Sequence, residues 1–264
     1  MSECRIAIAG CPFVITPAER LSDAERVALH RFEADADGRA LLVRLSGDVP
    51  RLTDAPHDGE PAAITVEGDR VFVAHERFAG TIDPSGFEAT LARQDEQGSF
   101  ALEILLRTAL SCRLPLEGGL LLHSAGIVIG ESAAIFFGES GAGKTTIAEL
   151  LGGLVLSDEL VAVQDGKASS TGFWGTLDRE DAPRGAFPIR ALVDLDRADG
   201  VQIERLEPRD AFRRLLLATV VPPHPLLWTQ ALRVVERLSH AEVHRLRWSP
   251  SEANARRVVQ SLWR

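Results

Sequence analysis

The chain has 264 residues, of which 45% are hydrophobic and 25% charged, a composition typical of a globular protein with a substantial core. Its formal net charge is −9, so the basic surface of a nucleic-acid-binding protein is not expected. Glu3 and Arg5 interrupt the start, which argues against a signal peptide, and no apolar run reaches the roughly 18 residues of a membrane helix. We therefore expect a cytoplasmic protein that binds neither nucleic acid nor membrane.

The first part of the chain is predicted to be rich in strands. A helix is predicted over residues 99–112, because apolar positions recur at helical spacing, and Leu114-Pro115 is expected to end it. These signals predict a smaller β-rich α+β domain over residues 1–115, followed by a second domain over residues 116–264. We expect the first domain to present the substrate to the second. Short apolar runs between turn signals predict strands at 5–9, 13–15, 40–45, 62–66 and 70–74.

The second part alternates strands and helices, which indicates an α/β class. Two hairpins are predicted, one joining residues 126–129 to 133–137 and one joining 189–195 to 201–204. The last helix is predicted to begin with Ser249 as its N-cap and Pro250 at its first position. Further strands are predicted at 120–123, 154–156 and 160–163, and helices at 145–151, 208–219 and 226–238.

A phosphate-binding motif follows the predicted strand at 133–137. The motif G-x-x-x-x-G-K-[ST], the P-loop, places a lysine on the β- and γ-phosphates and a hydroxyl on Mg²⁺. Its glycines let backbone N–H groups surround an anion, and the helix that follows adds the positive end of its dipole. The sequence therefore predicts a site for ATP and Mg²⁺. The matching residues are Gly138, Glu139, Ser140, Gly141, Ala142, Gly143, Lys144, Thr145 and Thr146.

Three further positions are candidates for the chemistry. Asp158 and Glu159 end a predicted strand about a dozen residues after the motif, where a carboxylate can hold Mg²⁺ or take a proton from a hydroxyl. With Thr145, they are the predicted metal ligands. His123 lies on an apolar strand, where a histidine is either a core residue or part of a site. Arg190 is a candidate to stabilise charge on a transferred phosphoryl group.

From Leu120 to Val163 the chain resembles the HPr kinase/phosphorylase family. The matching segments are a strand with His123, the P-loop, and a strand that ends in Asp158 and Glu159. The chain looks closer to the HPr kinase-like proteins found beside peptide-modification genes, some of which resemble lasso-peptide precursor kinases, than to the bifunctional enzyme. The family usually has two aspartates where this chain has Asp158 and Glu159.

The resemblance implies a nucleotide-binding core like that of phosphoenolpyruvate carboxykinase, with Asp158 as the catalytic base and His123 beside it. It also implies a homo-oligomer. We accordingly expect an ATP-dependent kinase that phosphorylates a hydroxyl, Ser or Thr, of a peptide or protein. Two alternatives stay open: a small-molecule kinase of the nucleoside or shikimate type, and a non-catalytic nucleotide-binding module that regulates a partner. The sequence lacks the N-K-x-D motif of GTPases and the signature motif of ABC ATPases.

Overall fold

A computed structural model describes residues 2–32, 39–47, 55–56, 60–85, 87–93, 100–173, 175 and 182–263. The protein is of the mixed α/β class, as the sequence predicts, and its described residues form two sheets. It divides into two compact units. The first consists of Met1–Arg113 and Val221–Trp228, and the second of Leu114–Val220 and Thr229–Arg264.

The described part of the first unit contains a seven-stranded mixed sheet, a 3₁₀ helix at Ala18–Arg20, two α-helices and the first residues of a third, which continues into the second unit. The two α-helices are α1 (Asp23–His30) and α2 (Phe100–Leu116). α2 extends four residues past its predicted end at residue 112, with Pro115 in the last turn. The strand order is 1-2-3-7-6-5-4. The strands are β1 (Cys4–Ile8), β2 (Cys11–Thr16), β3 (Leu41–Ser46), β4 (Ala63–Glu67), β5 (Arg70–His75), β6 (Phe78–Asp83) and β7 (Glu88–Arg93).

The described part of the second unit is built on eight strands. The predicted strands at 120–123 and 126–129 are one continuous strand of 11 residues. The strands are β8 (Gly119–Ile129), β9 (Ser132–Phe137), β10 (Leu154–Ser157), β11 (Leu160–Gln164), β12 (Lys167–Ser170), β13 (Ala186–Arg197), β14 (Val201–Arg205) and β15 (Val243–Trp248). The helices are α3 (Lys144–Leu151), α4 (Pro208–Ala218), α5 (Pro225–Ser239) and α6 (Glu252–Leu262).

Two long strands close the second sheet into a ring. The first half of β8 pairs with β11 and its second half pairs with β9. The first residues of β13 pair with β12, and its later residues pair in parallel with β9 and β15. Because β11 also pairs with β12, the pairing runs from β8 through β9, β13, β12 and β11 back to β8.

The predicted hairpin of β8 and β9 is confirmed, with Ile129 opposite Ser132 across a tight turn. The other predicted hairpin was wrong, because β15 lies between β13 and β14 and pairs with both. The N-cap of α6 is Ser251 rather than Ser249, since the Ser251 hydroxyl accepts the N–H of Asn254 at 3.2 Å. The Ser249 hydroxyl instead accepts the N–H of Gly200 at 3.2 Å.

A single apolar cluster packs α3 and α6 against β8, β9, β13 and β15. Phe136 of β9 and Ile147 of α3 both belong to it, so the cluster holds the strand and the helix on either side of the segment 138–143. The members are Ala125, Ile127, Ala134, Phe136, Ala142, Ile147, Ala148, Leu151, Ala191, Val193, Leu195, Leu246, Trp248, Ala255, Val258 and Leu262.

Candidate functional site

Residues 138–146, which carry the phosphate-binding motif, join the buried strand β9 to helix α3. The N–H of Ala142 donates to the carbonyl of Glu139 at 3.1 Å and closes a turn in the middle of the segment. Gly143 is the N-cap of α3, and its carbonyl accepts the first helical hydrogen bond, from Ile147, at 2.9 Å. The motif therefore forms a strand–loop–helix connection with the free N–H groups of a helix start.

Three glycines of the loop have positive φ angles, +148° at Gly138, +80° at Gly141 and +101° at Gly143. In anion-binding loops, residues with such angles turn successive N–H groups toward one side of the chain. Gly138 also lies against the neighbouring strand, because a Cβ built there would be 2.7 Å from the carbonyl oxygen of Leu195. Glycine is thus required at Gly138 by both conformation and space.

The ammonium group of Lys144 lies over the loop. Lys144 is only 8% exposed, and its Nζ donates to the carbonyl oxygens of Gly138 at 3.0 Å and Glu139 at 3.3 Å. Burial lowers the pKa of Lys144, and the negative charge of Glu159 opposes that shift. The ammonium group therefore lies where it could donate a charge-assisted hydrogen bond to a phosphate bound in the loop.

Asp158 contacts the first turn of α3. Its Oδ2 accepts a hydrogen bond from the Thr145 hydroxyl at 3.1 Å, and the residue is 5% exposed. Gly175 packs on the other carboxylate oxygen so closely that a Cβ on Gly175 would collide with Oδ1. The predicted metal ligands Thr145 and Asp158 are thus adjacent, and Asp158 is held in place from two sides.

Glu159 faces His123 rather than Thr145. Oε2 of Glu159 lies 3.4 Å from Nε2 of His123, and both side chains are about two-fifths exposed (39% and 41%). This hydrogen bond is the main reason that the pKa of Glu159 lies below its usual value, with burial acting in the opposite direction. The backbone N–H of Ser124 also donates to the carbonyl of Glu159 at 3.0 Å, which fixes the acid beside β8.

Strand register brings these residues to the end of β9. Ser124 pairs with Phe137, the last residue of β9, so His123 lies one step further along, level with the start of the loop. His123 itself pairs with Leu160, which directly follows the two acids. The register thus groups His123, the acidic pair and the loop at one edge of the sheet.

Sequence reasoning missed Ser157, which shapes the acidic turn. Its hydroxyl accepts the backbone N–H groups of Glu159 at 3.1 Å and Leu160 at 3.0 Å. A serine hydroxyl that bonds the backbone two and three residues later is a recognised turn device, so a serine just before two acids was an available signal. Ser157 fixes the directions in which Asp158 and Glu159 leave the strand.

The structure does not bring Arg190 to this group. Arg190 is exposed, and its Nε donates to the carbonyl of Leu262 at 3.0 Å, at the end of α6. On β13 it lies between the residues that pair with Ala133 and Ala134 of β9. Three further residues of β9 separate that level from the loop, a distance of about 10 Å along a strand.

The described residues contain no group of three or more His, Cys, Asp or Glu side chains that could hold a metal ion. Mg²⁺ does not require such a group, since proteins usually hold it through one or two carboxylates together with phosphate oxygens and water. Thr145 and Asp158 fit that requirement because their oxygens are in contact, and Glu159 follows directly in the chain with its carboxylate beside His123.

Comparison with known proteins gave no match to any protein-family model or to any curated protein. Among the described residues, no helix is long and apolar enough to cross a membrane.

Proposed function

We propose that this protein is an ATP-dependent kinase that transfers the γ-phosphate to a hydroxyl, Ser or Thr, of a peptide or protein. The observation that carries the proposal is the contact between Thr145 and Asp158, 3.1 Å between oxygens, beside a glycine loop that also holds Lys144. A phosphate cradle, a cation and a fixed carboxylate are the parts that phosphoryl transfer requires.

The roles follow from position. The loop N–H groups and Lys144 bind the phosphate chain, and Thr145, Asp158 and Glu159 are the proposed ligands of Mg²⁺, which neutralises charge on the phosphates. Asp158 is the proposed base. The acceptor oxygen forms a bond to the γ-phosphorus while its proton passes to Asp158, the bond from that phosphorus to the β–γ bridging oxygen breaks, and ADP leaves.

The resemblance to HPr kinase-like proteins supports the choice of a peptide or protein acceptor, and with it a core like that of phosphoenolpyruvate carboxykinase. The pairing of Glu159 with His123 supports a site that differs from the usual two-aspartate form, because the longer acid reaches the histidine. A cytoplasmic location and a homo-oligomer remain predictions from the sequence.

The test uses the full chain, radiolabelled ATP and Mg²⁺. We expect label to appear on peptides from a pool that contains Ser and Thr, and to be absent when those residues are replaced by Ala. Asp158→Asn should lower the transfer about 10²- to 10⁴-fold. Asp165→Asn, on the exposed turn between β11 and β12, should leave it intact. Label on small alcohols but on no peptide would favour a small-molecule kinase, and binding of ATP without any transfer would favour a regulatory module.

A further inference from the structure

Trp248 carries a buried hydrogen-bond donor that has no acceptor. The residue ends β15 and is 0% exposed, and within the described part of the chain its Nε1 has no hydrogen-bond partner. A buried indole N–H normally finds a partner, because an unsatisfied donor in the interior destabilises the fold. This donor therefore calls for an explanation beyond packing in the core.

The edge of the indole ring that carries this N–H faces the phosphate-binding loop. A Cβ built on Gly143 would lie 3.8 Å from Cζ2 and 3.9 Å from Nε1 of Trp248. Gly143 is the N-cap of α3, so the orphaned donor lies next to the free N–H groups at the start of that helix.

Strand direction explains how a residue so distant in sequence reaches the loop. β15 is parallel to β13, and β13 is parallel to β9, so the carboxyl ends of the three strands lie along one edge. In α/β proteins, ligands bind at this edge. Trp248 lies at this edge at the end of β15, and the loop lies at the same edge at the end of β9.

We propose that Trp248 is a further ligand-binding residue, whose indole N–H donates to a phosphate oxygen of the molecule held by the loop. The inference rests on the proposed function. Lys144 donates two of its three ammonium hydrogens to the carbonyls of Gly138 and Glu139, so the third can reach a phosphate in the loop. The indole N–H of Trp248 is buried, so the backbone around Gly143 has to shift for a phosphate oxygen to become its acceptor.

The experiment follows the indole N–H signals of the ¹⁵N-labelled full chain by NMR during titration with Mg-ATP and, separately, with Mg-pyrophosphate. Trp248→Phe identifies the Trp248 signal by removing it. Trp263 is the matched control, because its Nε1 is likewise buried without a partner. α6 begins four residues after Trp248, and Trp263 directly follows its last residue. The 11 residues of the helix span about 16 Å, so Trp263 lies at the end of α6 that is far from Trp248.

We expect both ligands to move the Trp248 signal downfield by several line widths and to leave the Trp263 signal in place. Trp248→Phe should also raise the Kd for Mg-ATP about tenfold or more, since a hydrogen bond to a charged group is lost. Trp263→Phe, the same truncation, should change that Kd less than about twofold.

Binding of either ligand with an unmoved Trp248 signal would overturn this inference and leave the proposed function standing. A shift produced by ATP and not by pyrophosphate would overturn it too, because the acceptor would then be on the sugar or base. Failure of both ligands to perturb any backbone amide of the loop would overturn the inference together with the proposed function.

Discussion

The Thr145 hydroxyl donates to Oδ2 of Asp158 at 3.1 Å, and this bond joins the first turn of α3 to the turn that follows β10. Asp158 is 13 residues away in sequence and 5% exposed, so its carboxylate is fixed beside the loop by contacts within the protein. A fixed carboxylate at this position can serve turnover without contributing much to nucleotide affinity.

Replacement of Asp158 by Asn should therefore separate turnover from binding. General-base catalysis contributes about 10²- to 10⁴-fold, so we expect phosphoryl transfer to fall by that factor. Affinity for Mg-ATP should stay within about tenfold of wild type. Single-turnover kinetics and calorimetry measure the two quantities, with Asp165→Asn as the control. Full transfer activity in Asp158→Asn would show that Asp158 is only a turn residue.

Gly138→Ala should destabilise the protein more than Gly130→Ala. Both glycines have positive φ, +148° and +64°, so both substitutions strain the backbone. At Gly138 the new Cβ would also lie 2.7 Å from the Leu195 carbonyl oxygen, whereas at Gly130 it meets nothing within 4 Å. We expect the free energy of unfolding to fall by about 1–3 kcal/mol more in Gly138→Ala. Chemical denaturation measures this difference, and equal losses would contradict the packing of the loop against β13.

The pairing of Glu159 with His123 predicts a pH-dependent contribution to stability. Because the hydrogen bond from His123 lowers the pKa of Glu159 from its ordinary 4.5, the folded state favours the charged carboxylate. The contribution is therefore present above pH 4.5 and is lost as the pH falls through the lower folded-state pKa.

Both side chains are more than a third exposed, so the effect should be at most about 1 kcal/mol. The free energy of unfolding of wild type and Glu159→Gln, measured from about pH 6 down to about pH 3, should differ most at the upper end. The control is Glu131→Gln, in the exposed turn between β8 and β9. If the difference in unfolding free energy between wild type and Glu159→Gln grew as the pH fell, the predicted role of this pair would be contradicted.

A buried ion pair stabilises the first unit. Two nitrogens of Arg93 contact the two carboxylate oxygens of Glu25, one of them at 2.8 Å, and the side chains are 6% and 0% exposed. Glu25→Gln leaves a buried, unpaired guanidinium, so the free energy of unfolding should fall by about 3–5 kcal/mol. Glu3→Gln, in the exposed pair with Arg5, should cost no more than about 1 kcal/mol. Comparable losses in the two variants would contradict the burial of the Arg93–Glu25 pair.

Local parts of the candidate site could be predicted because local sequence dictates them. The strand before the loop was predicted at 133–137 and found at Ser132–Phe137, and the helix predicted from Thr145 begins at Lys144. An apolar run, a glycine cluster and a helix start are each encoded by adjacent residues. The predicted strand before the acidic pair is likewise β10, which ends at Ser157.

The long-range parts could not be predicted. The ring of strands exists because the two halves of β8 and of β13 pair with different partners, and no short segment encodes that choice. In the same sheet β15 lies between β13 and β14, and for this reason the predicted hairpin of β13 and β14 was wrong. Trp248 gave no signal, because a tryptophan at the buried end of a strand that alternates apolar and basic residues has the pattern of a core residue.

Calorimetric titration of the full chain with Mg-ATP tests the central claim most directly, namely that the glycine loop with Lys144 binds a nucleoside triphosphate. The chain has two lysines, so Lys144→Ala has a natural control in Lys167→Ala, on the exposed start of β12. Loss of the charged contact should cost about 2–3 kcal/mol, so Lys144→Ala should weaken binding about 30- to 150-fold. Lys167→Ala should bind as wild type does. Equal affinity in wild type and Lys144→Ala, or no binding by wild type, would contradict the account.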